Sequence, residues 1–187
     1  MVKNIMEISI ISRDTIKPSL HSSSLNHLSP FKLSLVDQLT PATYMLLILF
    51  YPAISDPNSS FNLLETLTRL KSSLSETLTL YYPFSEQAKN NLFIHEFNTG
   101  IPFVEAQVSC RMLEFLKLQE TELLNRFVPF HPPMQGNWRR VSLLPMIAFQ
   151  VNVFACGGIA IGGSASHKLC DGIAANSILG SYPPQGI

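Results

Sequence analysis

Residues 145–179 restrict the fold most, because they oblige the chain to turn back on itself and then to change its period. Pro145 to Phe154 is a strongly apolar run that reads as a strand. Cys156-Gly157-Gly158 follows, and a Gly-Gly pair supplies the backbone freedom that a two-residue hairpin turn demands. The small-residue stretch Ile159 to Ser166 is then expected to pair with the first run. Beyond it Ile173, Ala174, Ile178 and Leu179 recur at helical spacing. Between strand and helix stands His167-Lys168-Leu169-Cys170-Asp171-Gly172. His167 is therefore predicted to leave the end of a paired, rigid strand, and Asp171 to cap the helix that follows.

The remainder of the chain supplies enough elements for one domain. Met6 to Ile16 mixes β-branched and polar residues and stops at Lys17-Pro18, which predicts an opening strand. The Ser/Pro/Asn/His-rich run to Pro30 is a loop, in which His21 and His27 have no convergent partners. Tyr44 to Tyr51 is a second strand, closed by Pro52. Leu63, Leu67, Leu70, Leu74 and Leu78 are spaced by four, three, four and four, which places five leucines on one helical face. Asn62, with Glu65 three residues on, predicts the N-terminal cap, and Tyr82-Pro83 predicts the stop. Leu92 to Phe97 and Pro102 to Val108 read as a hairpin around Asn98-Thr99-Gly100. Arg111 to Phe127 has helical character, and the proline-rich stretch from Pro129 to Arg140 is irregular.

Composition narrows the function classes. The 187 residues are 46% hydrophobic and only 14% charged, with a formal net charge of zero, so no electrostatic footprint for nucleic acid or an anionic membrane is present. The longest apolar run, Tyr44 to Phe50, is far short of a membrane span. The opening residues lack the pattern of a secretory leader, and three cysteines without metal-like spacing fit a reduced, cytosolic compartment.

The H-x-x-x-D-G constellation of residues 167–172, with the strand from Gln150 to Gly158 that leads into it, resembles the signature of the coenzyme-A-dependent acyltransferases of the BAHD family. Leu33-Ser34-Leu35-Val36-Asp37 resembles that family's L-S-x-x-D element, and Gly100 to Ala106 its G-x-P-F-x-E-A. Leu70-Lys71-Ser72-Ser73-Leu74-Ser75 through Tyr81-Tyr82-Pro83-Phe84 resembles its L-K-x-S-L-S and Y-P-L-A-G-R segments. Ser85-Glu86-Gln87 stands where Ala-Gly-Arg is usual, so a freely turning glycine and a fixed positive charge are both missing there. The resemblance covers nearly all of residues 6 to 179, and its opening segment and the Tyr81-Tyr82-Pro83-Phe84 region are most like the alkaloid-acetylating branch.

Several expectations come with the resemblance. It implies an α/β fold (an α+β two-layer arrangement, a mixed sheet with flanking helices) like the N-terminal domain of chloramphenicol-acetyltransferase-like enzymes, over residues 1–179. Residues 180–187 form a divergent tail, and the second domain with its Asp-Phe-Gly-Trp-Gly signature is absent from this sequence. It implies acyl-CoA, with acetyl-CoA expected, as co-substrate, no permanently bound cofactor or metal, and a small-molecule alcohol or amine of specialised metabolism as acceptor. His167 is implied as the general base in a channel between two domains. Asp171 is implied as structural support, turned from the substrate toward an arginine. Full-length relatives are implied to be monomers, whereas these residues alone are expected to self-associate, and the rival expectation is a truncated, non-catalytic product.

Simpler readings stand beside these. Imidazole can accept and return a proton near neutral pH, which suits His167 to the base's role, but a hydrogen-bonded histidine at a helix start is the plain alternative. Cys170 is expected to be a small apolar turn residue rather than a nucleophile or ligand. Ser164 and Ser166 are expected to be strand residues, Glu105 a strand residue on a polar face, and Asp37 a capping residue. Arg139-Arg140 is expected to be plain surface.

Overall fold

The computed structural model describes residues 6–19, 29–41, 43–53, 62–85, 92–94, 97, 99–130 and 145–170. Its centre is a five-stranded sheet in the order β1-β5-β6-β7-β3, built from β1 (Ile8–Ile16), β3 (Tyr44–Tyr51), β5 (Ile101–Val108), β6 (Ile147–Phe154) and β7 (Ile159–Ser166). The β5–β6 pair is parallel and the other three pairs are antiparallel, so the sheet is mixed, as expected. Two-residue strands β2 (Phe31–Lys32) and β4 (Phe93–Ile94) form a separate ribbon. Among the described residues the helices are α1 (Leu35–Leu39), α2 (Leu63–Leu80), α3 (Met112–Leu118) and α4 (Thr121–Leu124), with 3-10 turns at Tyr82–Ser85 and Asn125–Phe127.

The sheet is apolar on both faces because helices cover both. Side chains alternate along a strand. Phe149 and Val151 of β6, Phe103 of β5 and Ile159 and Ile161 of β7 therefore share one face, where they pack with Leu70, Leu74 and Leu78 of α2. Phe154, Val108 and Ala160 look the other way, toward Met112, Phe115 and Phe127. The leucine stripe of α2 is seated as its spacing predicts, with Asn62 Oδ1 accepting from the N–H groups of Leu64 and Glu65. Its first member, Leu63, lies at the open end of the helix and stays exposed.

Three expectations are corrected. The β6–β7 connection is a three-residue turn, Ala155 to Gly157, rather than a two-residue Gly-Gly turn. The Gly157 N–H donates to Phe154 O at 2.9 Å, and the Phe154 N–H to Gly158 O at 2.9 Å. Only Gly157 needs glycine's freedom, at φ +82°, as in three-residue hairpin loops that end in a left-handed residue.

Among the described residues the hairpin expected from residues 92–108 does not form. β4 pairs with β2, while β5 lies between β1 and β6. Gly100 does turn the chain, but into register with β1: a Cβ there would stand 2.7 Å from the Ile16 carbonyl oxygen. β5 is hydrogen-bonded along both edges, by the nine-residue β1 and the eight-residue β6, and a two-residue β4 could not replace either.

The helix expected over residues 111–127 is broken. Gln119 adopts a left-handed conformation, φ 51°, and ends α3, and α4 with its 3-10 extension follows at a new angle. The break lets Phe127 reach the sheet, where its ring centroid lies 4.7 Å from that of Phe115 and 5.6 Å from that of Phe154.

Candidate active site

β7 delivers His167 to one end of the sheet. Ser166, the last residue of the strand, is buried, and its N–H donates to Met146 O at 2.7 Å. The next N–H, that of His167, donates to Thr43 O at 2.9 Å, so the histidine backbone is held by the residue that precedes β3. The chain then curls: the N–H groups of Leu169 and Cys170 both donate to Ser166 O, at 3.3 and 3.0 Å, and that of Lys168 donates to Ser166 Oγ at 3.4 Å. Cys170 plunges into the main core at 1% exposure. His167 thus stands on a short turn fastened at both ends, with its side chain exposed to solvent.

The wall behind this turn comes from distant parts of the sequence. Tyr44 lies opposite Ser166 across the β3–β7 pair. Its hydroxyl donates to Pro145 O at 3.0 Å, and its ring meets Phe130 edge-on with centroids 5.4 Å apart. Burial pushes the Tyr44 phenol up to about 12, against a hydrogen bond with Ser166 that favours the phenolate. Tyr44 therefore stays a protonated donor throughout the neutral range.

On the other side, Ser34 and Asp37 form a reciprocal cap at the start of α1, with Asp37 N–H to Ser34 Oγ at 3.1 Å and Ser34 N–H to Asp37 Oδ2 at 2.9 Å. Lys168 extends to this helix, its Nζ 3.5 Å from Asp37 O. Desolvation lowers the Lys168 amine below its usual range, and the Asp37 carboxylate partly restores it.

Asp37 is thus a capping residue, as expected. Ser164 and Ser166 are buried strand residues, Ser164 donating to Phe130 O at 3.4 Å. The burial of Cys170 beneath an exposed His167 agrees with its expected packing role, and all three cysteines are thiols. Glu105 is a strand residue as expected, but the face is not a polar one: it shares the α2-covered side of the sheet with Phe103 and Val151, and there it pairs with Lys71 Nζ at 2.6 Å. Asp171, Arg139, Arg140, His21 and His27 lie outside the described residues. Among the described residues no cluster of three or more His, Cys, Asp or Glu side chains is arranged to hold a metal, and no helix is long and apolar enough to cross a membrane.

Thr43, Tyr44 and Lys168 were not singled out from the sequence. Lys168 is visible as the neighbour of the histidine, but its target on α1 is not. Tyr44 is a polar-tipped residue at the first position of an apolar strand; nothing local announces that this position will face Ser166.

The same chain can be set beside proteins of known type. The family model described as the Transferase family matches residues 6–183. A limonoid 21-O-acetyltransferase of Melia azedarach is 42% identical over 171 residues, covering 91% of this chain and 38% of that protein. Akuammiline synthase 2 of Alstonia scholaris is 36% identical over 182 residues, covering 97% of this chain and 38% of its own length. Among solved structures, vinorine synthase superposes with a TM-score of 0.78 at 30% identity, over 92% of this chain and 41% of that one. The chain therefore spans about two fifths of the length of these relatives.

Proposed function

Because this chain belongs to the Transferase family, the acyltransferases of BAHD type, we propose that it supplies the base-bearing wall of a site that moves an acyl group from acyl-CoA to a hydroxyl or amine of a specialised metabolite. Acetyl-CoA is the donor we favour, since the names of the limonoid and related proteins it resembles are those of O-acetyltransferases. The observation that carries the reading is the geometry of His167: an exposed imidazole on a turn whose backbone is pinned to Thr43 and Ser166. A base held in that way can meet an acceptor without losing its aim.

In the proposed reaction the His167 imidazole takes the proton of the acceptor hydroxyl as its oxygen attacks the thioester carbonyl carbon. The tetrahedral adduct collapses, the carbon–sulfur bond breaks, and the CoA thiolate leaves and takes up the proton. Tyr44 and Ser166 stiffen the strand end beneath the base. Asp171 has the structural role of holding the turn, without relaying the proton. In the longest expressed form of the protein, His167→Ala should lower acyl transfer by about a hundred- to ten-thousand-fold with acyl-CoA binding little changed. Near-normal turnover would remove His167 from the base's role.

A second reading rests on the coverage of about two fifths: taken alone, these residues fold but turn nothing over. Positioning the thioester and stabilising its oxyanion require groups beyond a single base. Calorimetry of residues 1–187 with acetyl-CoA, together with thiol release over a panel of alcohols, separates the two. Micromolar binding with acceptor-dependent thiol release would show that the chain is a sufficient enzyme.

A further inference from the structure

The end of the sheet away from His167 carries two thiols that the proposed reaction does not use. β5 and β6 run parallel as far as the Val108–Phe154 pair, and two residues beyond the end of each strand come Cys110, in the bend that precedes α3, and Cys156, in the β6–β7 turn. The two segments are still joined there, since the Ala155 N–H donates to Cys110 O at 3.1 Å. A backbone hydrogen bond between the residues flanking the pair brings the two segments near the separation of roughly 4.4–6.8 Å that a disulfide spans between Cα atoms. Both side chains belong to the same apolar cluster.

Their environments differ in a way that gives each a task. Cys110 is buried at 7% exposure, whereas Cys156 sits half-buried in the β6–β7 turn. Beside it Gly157 leaves room, because a Cβ there would meet only Ala53 Cβ, at 3.9 Å. The Met112 N–H donates to Cys156 Sγ at 3.5 Å. Burial works to raise the Cys156 thiol, but backbone N–H groups of Met112, Gly158 and Cys156 and the Arg111 guanidinium outweigh it and favour the thiolate. Burial pushes the Cys110 thiol up, and the nearby Glu114 and Cys156 charges add to that. Cys170 is at 1% exposure in the other cluster and takes no part.

We infer that Cys156 and Cys110 form a redox-active dithiol, in which a hydroperoxide oxidises Cys156 and Cys110 then closes an intrachain disulfide. The Cys156 thiolate attacks one peroxide oxygen, the oxygen–oxygen bond breaks, and the leaving oxygen takes up a proton to depart as water or an alcohol. Cys110 sulfur then attacks the sulfenic sulfur of Cys156; the sulfur–oxygen bond breaks and water leaves with the Cys110 proton. Two electrons pass from the two thiols to one peroxide. An added dithiol such as dithiothreitol reverses the change by exchange. The inference stands on this pair alone and does not depend on the acyl-transfer reading.

The test is to expose the folded 187-residue chain to hydrogen peroxide, alkylate remaining thiols under denaturing conditions, and map the peptides by mass spectrometry. The expected result is a Cys110–Cys156 link within one chain, Cys170 alkylated, and full recovery of thiols after dithiothreitol. Cys156→Ser should abolish the link. Cys110→Ala, which suits a buried apolar site, should leave Cys156 as a sulfenic acid that dimedone traps. The inference is overturned if all thiols survive a peroxide dose that oxidises free dithiothreitol, if links join separate chains or include Cys170, or if Cys156 proceeds to sulfinic acid while Cys110 remains a thiol. The map of the unsubstituted chain decides even if a variant fails to fold.

Discussion

Lys71 holds two carboxylates at once, with its Nζ 2.6 Å from Asp14 Oδ2 and 2.6 Å from Glu105 Oε1, and it lies 5.4 Å from the centre of the Phe103 ring. It thereby ties α2 to both β1 and β5. The Glu105 branch is the more enclosed of the two, and the Asp14 branch is more screened by water. Lys71→Met should therefore cost about 1–2 kcal/mol, mainly because Glu105 is left without its partner; urea titration should show a lower midpoint at unchanged slope. The same groups set a pH window. The hydrogen bond from Lys71 holds Asp14 below its ordinary value, so its contribution is present above about pH 4 and fades as pH falls through the folded value. Desolvation opposes the charge on Lys71, but the two carboxylates outweigh it and raise the amine, and burial raises Tyr44 to about 12. Both contributions are complete below the unfolded values near pH 10 and are lost as pH rises through the folded ones. Thermal melts across pH should be flat in the neutral range and fall above roughly pH 10. A melting temperature that rises above that point would contradict the assignment.

At the scale of elements, the contact that fixes the second layer is the approach of the Asn125–Phe127 turn to β6 and β7. Asn152 Nδ2 donates to Phe127 O at 2.9 Å and to Ala160 O at 3.1 Å, while Gln150 Nε2 donates to Arg126 O at 2.9 Å and to Asn152 Oδ1 at 2.7 Å. These buried amides satisfy the carbonyls of Arg126 and Phe127 in a turn outside the sheet ladder, and Asn152 also reaches Ala160 O on β7, which is why two polar residues are tolerated inside an apolar strand. The turn can come so close only because β7 has glycine there: a Cβ on Gly162 would stand 1.9 Å from Phe127 O and 2.8 Å from its carbonyl carbon. Backbone cannot yield as a side-chain tip does. Gly162→Ala should therefore cost about 3 kcal/mol or more, pushing the turn off the sheet and loosening Phe127. The check is a paired measurement in which Gly163→Ala, whose Cβ would meet only the Phe149 ring at 3.3 Å, is the milder change. Equal effects of the two would remove the close approach as the cause.

Across the whole molecule, apolar surface is left over at one side of the sheet. β3 is an edge strand among the described residues, and its Leu46 and Leu47 are exposed, as are Leu35, Val36 and Leu39 of nearby α1. A groove of about 320 Å³ runs along it, lined by Leu46, Leu47, Ile48, Phe50, Leu124 and Val128 among others. An uncovered edge with apolar side chains favours pairing between chains. Purified residues 1–187 should thus show light scattering that grows with concentration, and Leu47→Lys should reduce it without lowering the unfolding free energy by more than about 1 kcal/mol. A chain that stays monomeric at all concentrations would contradict this expectation, and would show that the edge is adequately covered as it stands.

The sequence by itself determined what depends on near neighbours. The leucine stripe of α2, its Asn62 cap, the return of β7 along β6 and the emergence of His167 at the strand end all follow from spacings of a few residues, because a helical face or a hairpin is a local object. The similarity of residues 33–37, 70–84, 100–106 and 150–172 to family segments was legible for the same reason. The tertiary structure decided partners. Alternation along β5 tells which side chains share a face, yet it reads the same whether the next strand is β4, β1 or β6. Only the burial of both faces across the assembled sheet selects among them. For that reason the expected hairpin at residues 92–108 gave way to a parallel β5–β6 pair, the helix over residues 111–127 broke at Gln119 to seat Phe127, and Tyr44 came to stand opposite Ser166 with its hydroxyl bonded 101 residues away. Contacts at that separation leave no local pattern, since they are chosen by the free energy of the whole packed sheet.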